Sequence, residues 1–448
     1  MKTKTKRTWK SSGLAYAAAV SLLSGGLVAQ PTSPIDPVPN ADLDAPGAQD
    51  PAPEDSTIYL RRARDTLIGV RDFTAALNPA RQIIDEQEQD PDETYTTDLL
   101  ALARIQAELG EFEEAEGTYL KAIELVETVE GEFSISLVDP YQGLGRSYIK
   151  DARYPEAITA LEQAQHISQR NLGLFNVEQA GLLDDITTAY LGIGDTTEAR
   201  QMQLERLDNA VKRFGADDPR VIPFRYQLAD YYQRSRMQIS AREQYEKVLK
   251  SQETQLGADH PGLLSPLRQL VKVDLMMTQG EEDLAYTRLV AILQKQQEID
   301  PIERGLSLAV LGDWASVEGD ALAAGDYYKQ AWDALSSKPD IDTEAFFAEP
   351  VMIDFIAPLS AVDRGERSKP YAWASIVFEF DLSADGRASN VKTVGAQSPP
   401  GPLQTRYSRR LRETHFRPRL VAGQPVATSN VQFTHYFRYY VNDDEEEG

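Results

Sequence analysis

Along most of the chain apolar residues recur three and four apart, in blocks broken at Gly110, Gly194, Gly280 and Gly319. That spacing predicts amphipathic helices arranged in pairs, with a turn at each break. The pairs repeat: Ala115, Ala157, Ala199, Ala241, Ala285 and Ala324 hold equivalent places, at steps of 42, 42, 42, 44 and 39 residues. One helix pair cannot bury its apolar face alone, so self-similarity on this scale predicts a stacked solenoid whose long surface holds a partner.

After residue 350 the period changes from helical to two. Ile376, Phe378, Phe380 and Leu382 alternate with Ser375, Val377, Glu379 and Asp381, which predicts a half-buried strand. Asp385-Gly386 then supplies a hairpin turn, and a second strand runs from Ala388 to Val394. Residues 403 to 414 read as a helix with Leu403, Tyr407 and Leu411 on one stripe. Val431, Phe433, His435, Phe437 and Tyr439 alternate again in a third strand. The strand, strand, helix, strand order predicts a small α+β domain.

The helical pairs carry Leu144-Gly145 and Tyr148, then Tyr154, Ala157, Leu161 and Ala164 at fixed offsets. Leu256-Gly257-Ala258-Asp259-His260-Pro261 and Phe214-Gly215-Ala216-Asp217-Asp218-Pro219 link successive pairs. These residues resemble tetratricopeptide (TPR) repeats of the 42-residue kinesin-light-chain type, over residues 96 to about 338. A weaker copy at 57 to 88 is interrupted by Asn78-Pro79, and the third copy has Thr196 and Gln203 where an aromatic is usual. The resemblance implies a mainly α protein built on a right-handed TPR α-solenoid, with first helices lining a peptide groove. It assigns Gln142, Arg146, Asp184, Thr188, Tyr226, Asp230 and Asp274 to that groove. Asp259 and His260, at a helix start, read as capping residues.

The C-terminal segment is similar to the C-terminal domain of TonB-family energy transducers. The matching residues are Ile376-Val377-Phe378-Glu379-Phe380, Asp385-Gly386-Arg387, His415-Phe416-Arg417-Pro418 and Gly423-Gln424-Pro425-Val426, followed by the aromatic final strand. Two features depart from the family: His415 replaces a usual Trp, and the N-terminal apolar stretch lacks the histidine of the transducers' membrane helix. The resemblance implies a β-β-α-β fold that receives an extended peptide along its final strand, Asn430 to Val441. Arg417, Gln432, Thr434, Tyr436 and Arg438 are its expected contacts.

Composition then narrows the function. The net charge is −24, and −29 without the five basic residues Lys2, Lys4, Lys6, Arg7 and Lys10. So acidic a chain argues against nucleic acid and anionic membranes as partners. Those five residues precede an uncharged apolar stretch from Gly13 to Ala29, the layout of an export signal. The expected organisation is a signal peptide or uncleaved anchor at 1–29, a Pro-rich linker at 30–55, the helical array at 56–345, a linker at 346–369, the TonB-like domain at 370–441 and an acidic tail at 442–448. With no cysteine, thiolate chemistry and disulfides are excluded. His166, His260, His415 and His435 lack zinc-site spacing, and no nucleophile elbow or phosphate-cradling loop is evident. The sequence therefore predicts a non-enzymatic periplasmic adaptor without cofactor or metal. Its expected partners are other envelope proteins, with an outer-membrane receptor peptide among the candidates. The alternative reading is an energy transducer anchored in the inner membrane.

Overall fold

The computed structural model describes residues 53–89, 91–277, 284–358, 360, 371–396 and 401–440. The leader, the Pro-rich segment up to residue 52, Gly280 and the acidic tail lie outside the described residues. The chain divides into two compact units, 1–216 and 217–448. It is mainly helical, and among the described residues no helix is long and apolar enough to cross a membrane.

The first unit stacks four helix pairs: α1 (Pro53–Gly69) with α2 (Phe73–Gln87), α3 (Tyr95–Leu109) with α4 (Phe112–Glu130), α5 (Val138–Lys150) with α6 (Tyr154–Leu172), and α7 (Ala180–Gly192) with α8 (Thr196–Phe214). First helices of successive pairs touch, α3 on α5 and α5 on α7, so they form the more closely packed layer. Close approach depends on small residues. Ala115, Ala157 and Ala199 are fully buried, each the fourth residue of its second helix. A Cβ on Gly145 would lie 2.5 Å from Cγ of Leu161, so the Leu-Gly signature lets α5 close onto α6.

Two departures from the sequence reading have local causes. The break expected at Asn78-Pro79 is absent, because α2 runs through Pro79 with Ala76, Ala80, Ile83 and Ile84 buried on one face. That burial outweighs the single helix hydrogen bond a proline removes. Gln203 replaces the aromatic core residue and is satisfied in place: its Nε2 donates to Asp184 Oδ1 (2.8 Å) and Thr187 Oγ1 (2.9 Å).

Among the described residues, six turns inside pairs pass through one left-handed residue: Arg71, Gly110, Ala152, Gly194, Arg236 or Gly319. Glycine marks only half of these turns, since Ala152 and Arg236 stand in the same 42-residue register with φ of 59° and 60°. A Cβ there is strained, so Ala152→Gly should stabilise the first unit by about 1 kcal/mol. Urea denaturation of the full chain checks this, and an unchanged or lower midpoint would show that the turn holds no strain.

Second helices end on Gly131, Gly173, Gly215 and Gly257, all with φ between 90° and 96° and all 42 residues apart. Short 3-10 turns follow at Ile135–Leu137, Pro219–Val221 and Pro261–Leu263, capped by Ser134, Asp218 and His260. At the last of these the cap is the imidazole: His260 Nδ1 accepts the Gly262 N–H at 2.9 Å. Asp259, expected to share that role, pairs instead with Lys295.

The second unit contains α9 (Ile222–Arg234), α10 (Gln238–Leu256), α11 (Leu264–Met276), α12 (Leu284–Lys295), α13 (Pro301–Val317) and α14 (Ala321–Ser336), then a short α15 (Thr343–Phe346). Its C-terminal part has β1 (Val351–Met352), β2 (Tyr371–Leu382), β3 (Ala388–Ala396), α16 (Gly401–Glu413), β4 (Phe416–Arg417), β5 (Arg419–Val421), β6 (Gln424–Val426) and β7 (Thr428–Tyr440). The sheet order is β3-β2-β7, antiparallel throughout, with Phe378 opposite Phe433. Ile376, Phe378, Phe380, Tyr407, Leu411 and Phe437 close a core between the sheet and α16. Gly386, in the Asp-Gly turn, has φ +79°, and a Cβ there would fall 1.9 Å from the Phe416 carbonyl oxygen. Glycine is required at that point by both conformation and space.

Candidate protein-binding site

In the first unit the groove assignment picks out residues that meet. Gln142 and Arg146 lie one turn apart on α5 and line an open cavity of about 380 Å³ with Arg104, Glu108, Tyr119 and Lys150. Both are held by a residue of the next pair that the sequence reading passed over. Asp185 accepts from Gln142 Nε2 (2.6 Å) and from Arg146 Nε (2.7 Å). Burial pushes the Asp185 carboxyl up, although those two partners pull it the other way. Its neighbour Asp184 faces its own pair, accepting from Gln203 and from Arg206 Nη1 at 2.8 Å. Thr188 Oγ1 donates to the Asp184 carbonyl at 2.9 Å, so its hydroxyl is occupied within α7.

The cavity gathers Arg104, Arg146 and Lys150 beside the acids Glu108 and Asp139. Arg104 is exposed and stands 42 residues before Arg146, a register that would have found it from sequence. Lys150 pairs with Glu108 at 2.6 Å. Burial drives the Tyr119 hydroxyl at its floor up to about 12, against the pull of Arg104 and Arg146. The arrangement offers guanidinium and ammonium donors to an anionic or polar peptide group.

In the second unit Tyr226 is half-buried against the Tyr245 ring, centroids 5.9 Å apart, and its hydroxyl donates to Ser265 Oγ at 3.3 Å. Asp230 is exposed and accepts the Tyr245 hydroxyl at 2.7 Å. Asp274, assigned to the same groove, is buried, with Arg242 Nε 3.4 Å away. The step from Thr188 to Asp230 continues to Lys272, two residues earlier on α11, which retains exposed surface. Desolvation of its ammonium, with repulsion from Arg417 and Arg268, pushes Lys272 down to about 8. Asp313 and Asp230 pull the other way. Because water still reaches the residue, part of this field is screened.

The C-terminal residues separate into two groups. Gln432 and Thr434 are exposed and Tyr436 is half-exposed on β7, on the face opposite the Val431, Phe433 and Phe437 core row. Among the described residues β7 pairs with β2 alone. The Arg438 side chain lies outside what the structure describes. Arg417 belongs elsewhere. It is buried, and its Nε and Nη2 donate to Asp313 Oδ1 and Oδ2 of α13 at 2.8 and 2.5 Å. The expected docking arginine is thus taken by an aspartate of its own chain, and Tyr328 donates to the same carboxylate at 3.1 Å.

The surrounding contacts fasten the β module to the last helix pair. β4 packs on α13 and β6 on α14. The Ala422-Gly423 turn, with both φ positive, sits against Trp332, which stacks on Phe347 at 5.7 Å. Residues 346–358, within the stretch assigned as linker, are packed: Phe347 is buried, and Asp354 accepts the His415 N–H at 2.8 Å and meets His415 Nδ1 at 2.8 Å. His415 thereby holds the Phe416-Arg417 strap in place. His435, in the core row of β7, hydrogen-bonds Tyr407.

Residues 93–170 match the tetratricopeptide repeat family. Among solved structures the chain is similar to the nearly identical TPR-like repeats of a Podosopora anserina kinesin light chain, at 18% identity and TM-score 0.38 over 45% of this chain and 95% of that one. It is similar to BtubC (BKLC) of P. vanneervenii at 17% identity and TM-score 0.36, over 64% and 92% of the two chains. It is also similar to the C-terminal part of a TPR repeat-containing protein of Cytophaga hutchinsonii, at 14% identity and TM-score 0.39, over 63% and 98%. No curated protein matches the chain.

Proposed function

We propose that the protein is a non-enzymatic adaptor of the cell envelope, exported by its N-terminal leader. One partner is held by the inner layer of the helical repeats and a second by strand addition to the TonB-like C-terminal module. The observation that carries the first half is the cavity where Gln142 and Arg146, fixed by Asp185, stand beside Arg104 and Lys150. A polar, preorganised surface on a repeat scaffold serves recognition of a peptide. The second half is supported by the strand, strand, helix, strand order and by the place of β7 at the end of the β3-β2-β7 order among the described strands, where an added strand would pair.

Cell fractionation with mass spectrometry of the N-terminus tests the reading. A soluble periplasmic chain beginning near Gln30 is the expected result. A full-length chain held in the inner membrane would replace the adaptor with the anchored energy transducer. A full-length cytoplasmic chain would overturn export.

A further inference from the structure

We infer that Asp230, backed by Tyr245, is a receptor for an arginine side chain of a basic, extended partner segment lying on the first helices of the second unit. The inference rests on the repeat-surface reading above and gives that surface a partner chemistry.

The chain contains a filled copy of the same receptor. In the last pair, Tyr328 donates to Asp313, fifteen residues earlier on the first helix, and Asp313 takes the Arg417 guanidinium through two parallel hydrogen bonds. In the α9–α10 pair the same two residue types stand fifteen apart in the same relation, Tyr245 donating to Asp230 at 2.7 Å. The carboxylate is oriented by the buried tyrosine in both places, which removes the ordering cost a guanidinium would otherwise meet. The occupant differs: Asp230 is exposed, its hydrogen-bond partner is the Tyr245 hydroxyl, and the charge of Lys272 reaches it from the next first helix. A carboxylate held this way matches the planar fork of arginine better than the point charge of lysine.

Two neighbours sharpen the choice. Tyr226 stands one turn before Asp230 on the same helix, with its ring packed on Tyr245, and offers a face on which a guanidinium can stack. Lys272 occupies the equivalent step of the next pair, near enough to Asp230 and Asp313 to be drawn by both. A partner guanidinium on Asp230 therefore competes with the Lys272 ammonium, over which its two parallel hydrogen bonds favour it. An extended segment is favoured because the repeat sets first-helix positions at a regular step, Asp230 and Lys272 standing 42 residues apart on successive first helices.

The test is a display library of random decapeptides panned against the full-length protein and against Asp230→Asn, which keeps an acceptor for Tyr245 and therefore the fold. Circular dichroism melting verifies that the variant is folded. Wild-type protein is expected to enrich arginine-bearing peptides, and Asp230→Asn to bind the selected peptides about tenfold or more weakly. Replacing the selected arginine with lysine should cost part of that binding, and Asp313→Asn should leave the Asp230-dependent selection intact. Peptides enriched without arginine, or arginine peptides indifferent to Asp230→Asn, would overturn the inference while leaving a peptide-binding array. Retention of no peptide at all would overturn the repeat-surface reading with it.

Discussion

Asp313→Ala is expected to release the C-terminal module from the last helix pair. The substitution leaves the Arg417 guanidinium buried without its carboxylate, and breaking such a pair from one side costs about 3–5 kcal/mol. Tyr328 loses its acceptor at the same time. Native-state hydrogen exchange reads the effect locally: amides of β4, β5 and β6 should lose protection, while those of α9 and α10 keep theirs. The double variant Asp313→Leu with Arg417→Met replaces the ion pair by apolar contact and should recover most of the loss, since apolar replacements of buried pairs are often neutral or stabilising. A loss below about 1 kcal/mol in the single variant would place Arg417 among ordinary surface pairs, contrary to its burial.

Asp98→Ala should have a comparable effect at the other end of the chain. Asp98 is 1% exposed and accepts from Arg64 Nη1 (2.5 Å), Arg61 Nε (2.9 Å) and Gln87 Nε2 (2.9 Å). Arg64 is 4% exposed, so removal of the carboxylate strands a buried cation and should cost about 3–5 kcal/mol within α1 to α3. The pH dependence follows from the same contacts. Burial alone would push the Asp98 carboxyl up, but the hydrogen bonds from Arg61, Arg64 and Gln87 and the charge of Arg64 outweigh it and hold the group below its usual range. A depressed carboxyl stabilises the fold above the unfolded pKa of about 3.9 and loses that contribution as pH falls through its folded value. Wild-type protection of α1 to α3 should therefore decline from about pH 4 downward, and Asp98→Ala should flatten that decline. An equally steep acid response in the variant would move the cause to other carboxylates.

Much of this architecture could be read from the sequence because helical repeats write themselves at fixed intervals. Alanines at one place in each second helix announced the pairs, and the alternation of Ile376, Phe378 and Phe380 announced β2. The residues that were misjudged answer to distant partners. Pro79 reads as a breaker until the buried face of α2 is seen, and Gln203 as a defect until Asp184 and Thr187 are placed beside it. Arg417 was legible as an important arginine, but its partner lies 104 residues away and no local spacing connects them. Asp185, Arg104 and Lys272 were within reach of the sequence, for they stand in or beside the 42-residue register of positions already chosen.

The glycine joints at residues 131, 173, 215 and 257 make the array modular in a mechanical sense. Each joint ends a second helix on a glycine in the same conformation, so an excised or duplicated stretch between two of them rejoins through a matching glycine. The chain can thus lengthen or shorten its recognition surface in whole cassettes, changing how much of a partner it spans without redesigning any single contact.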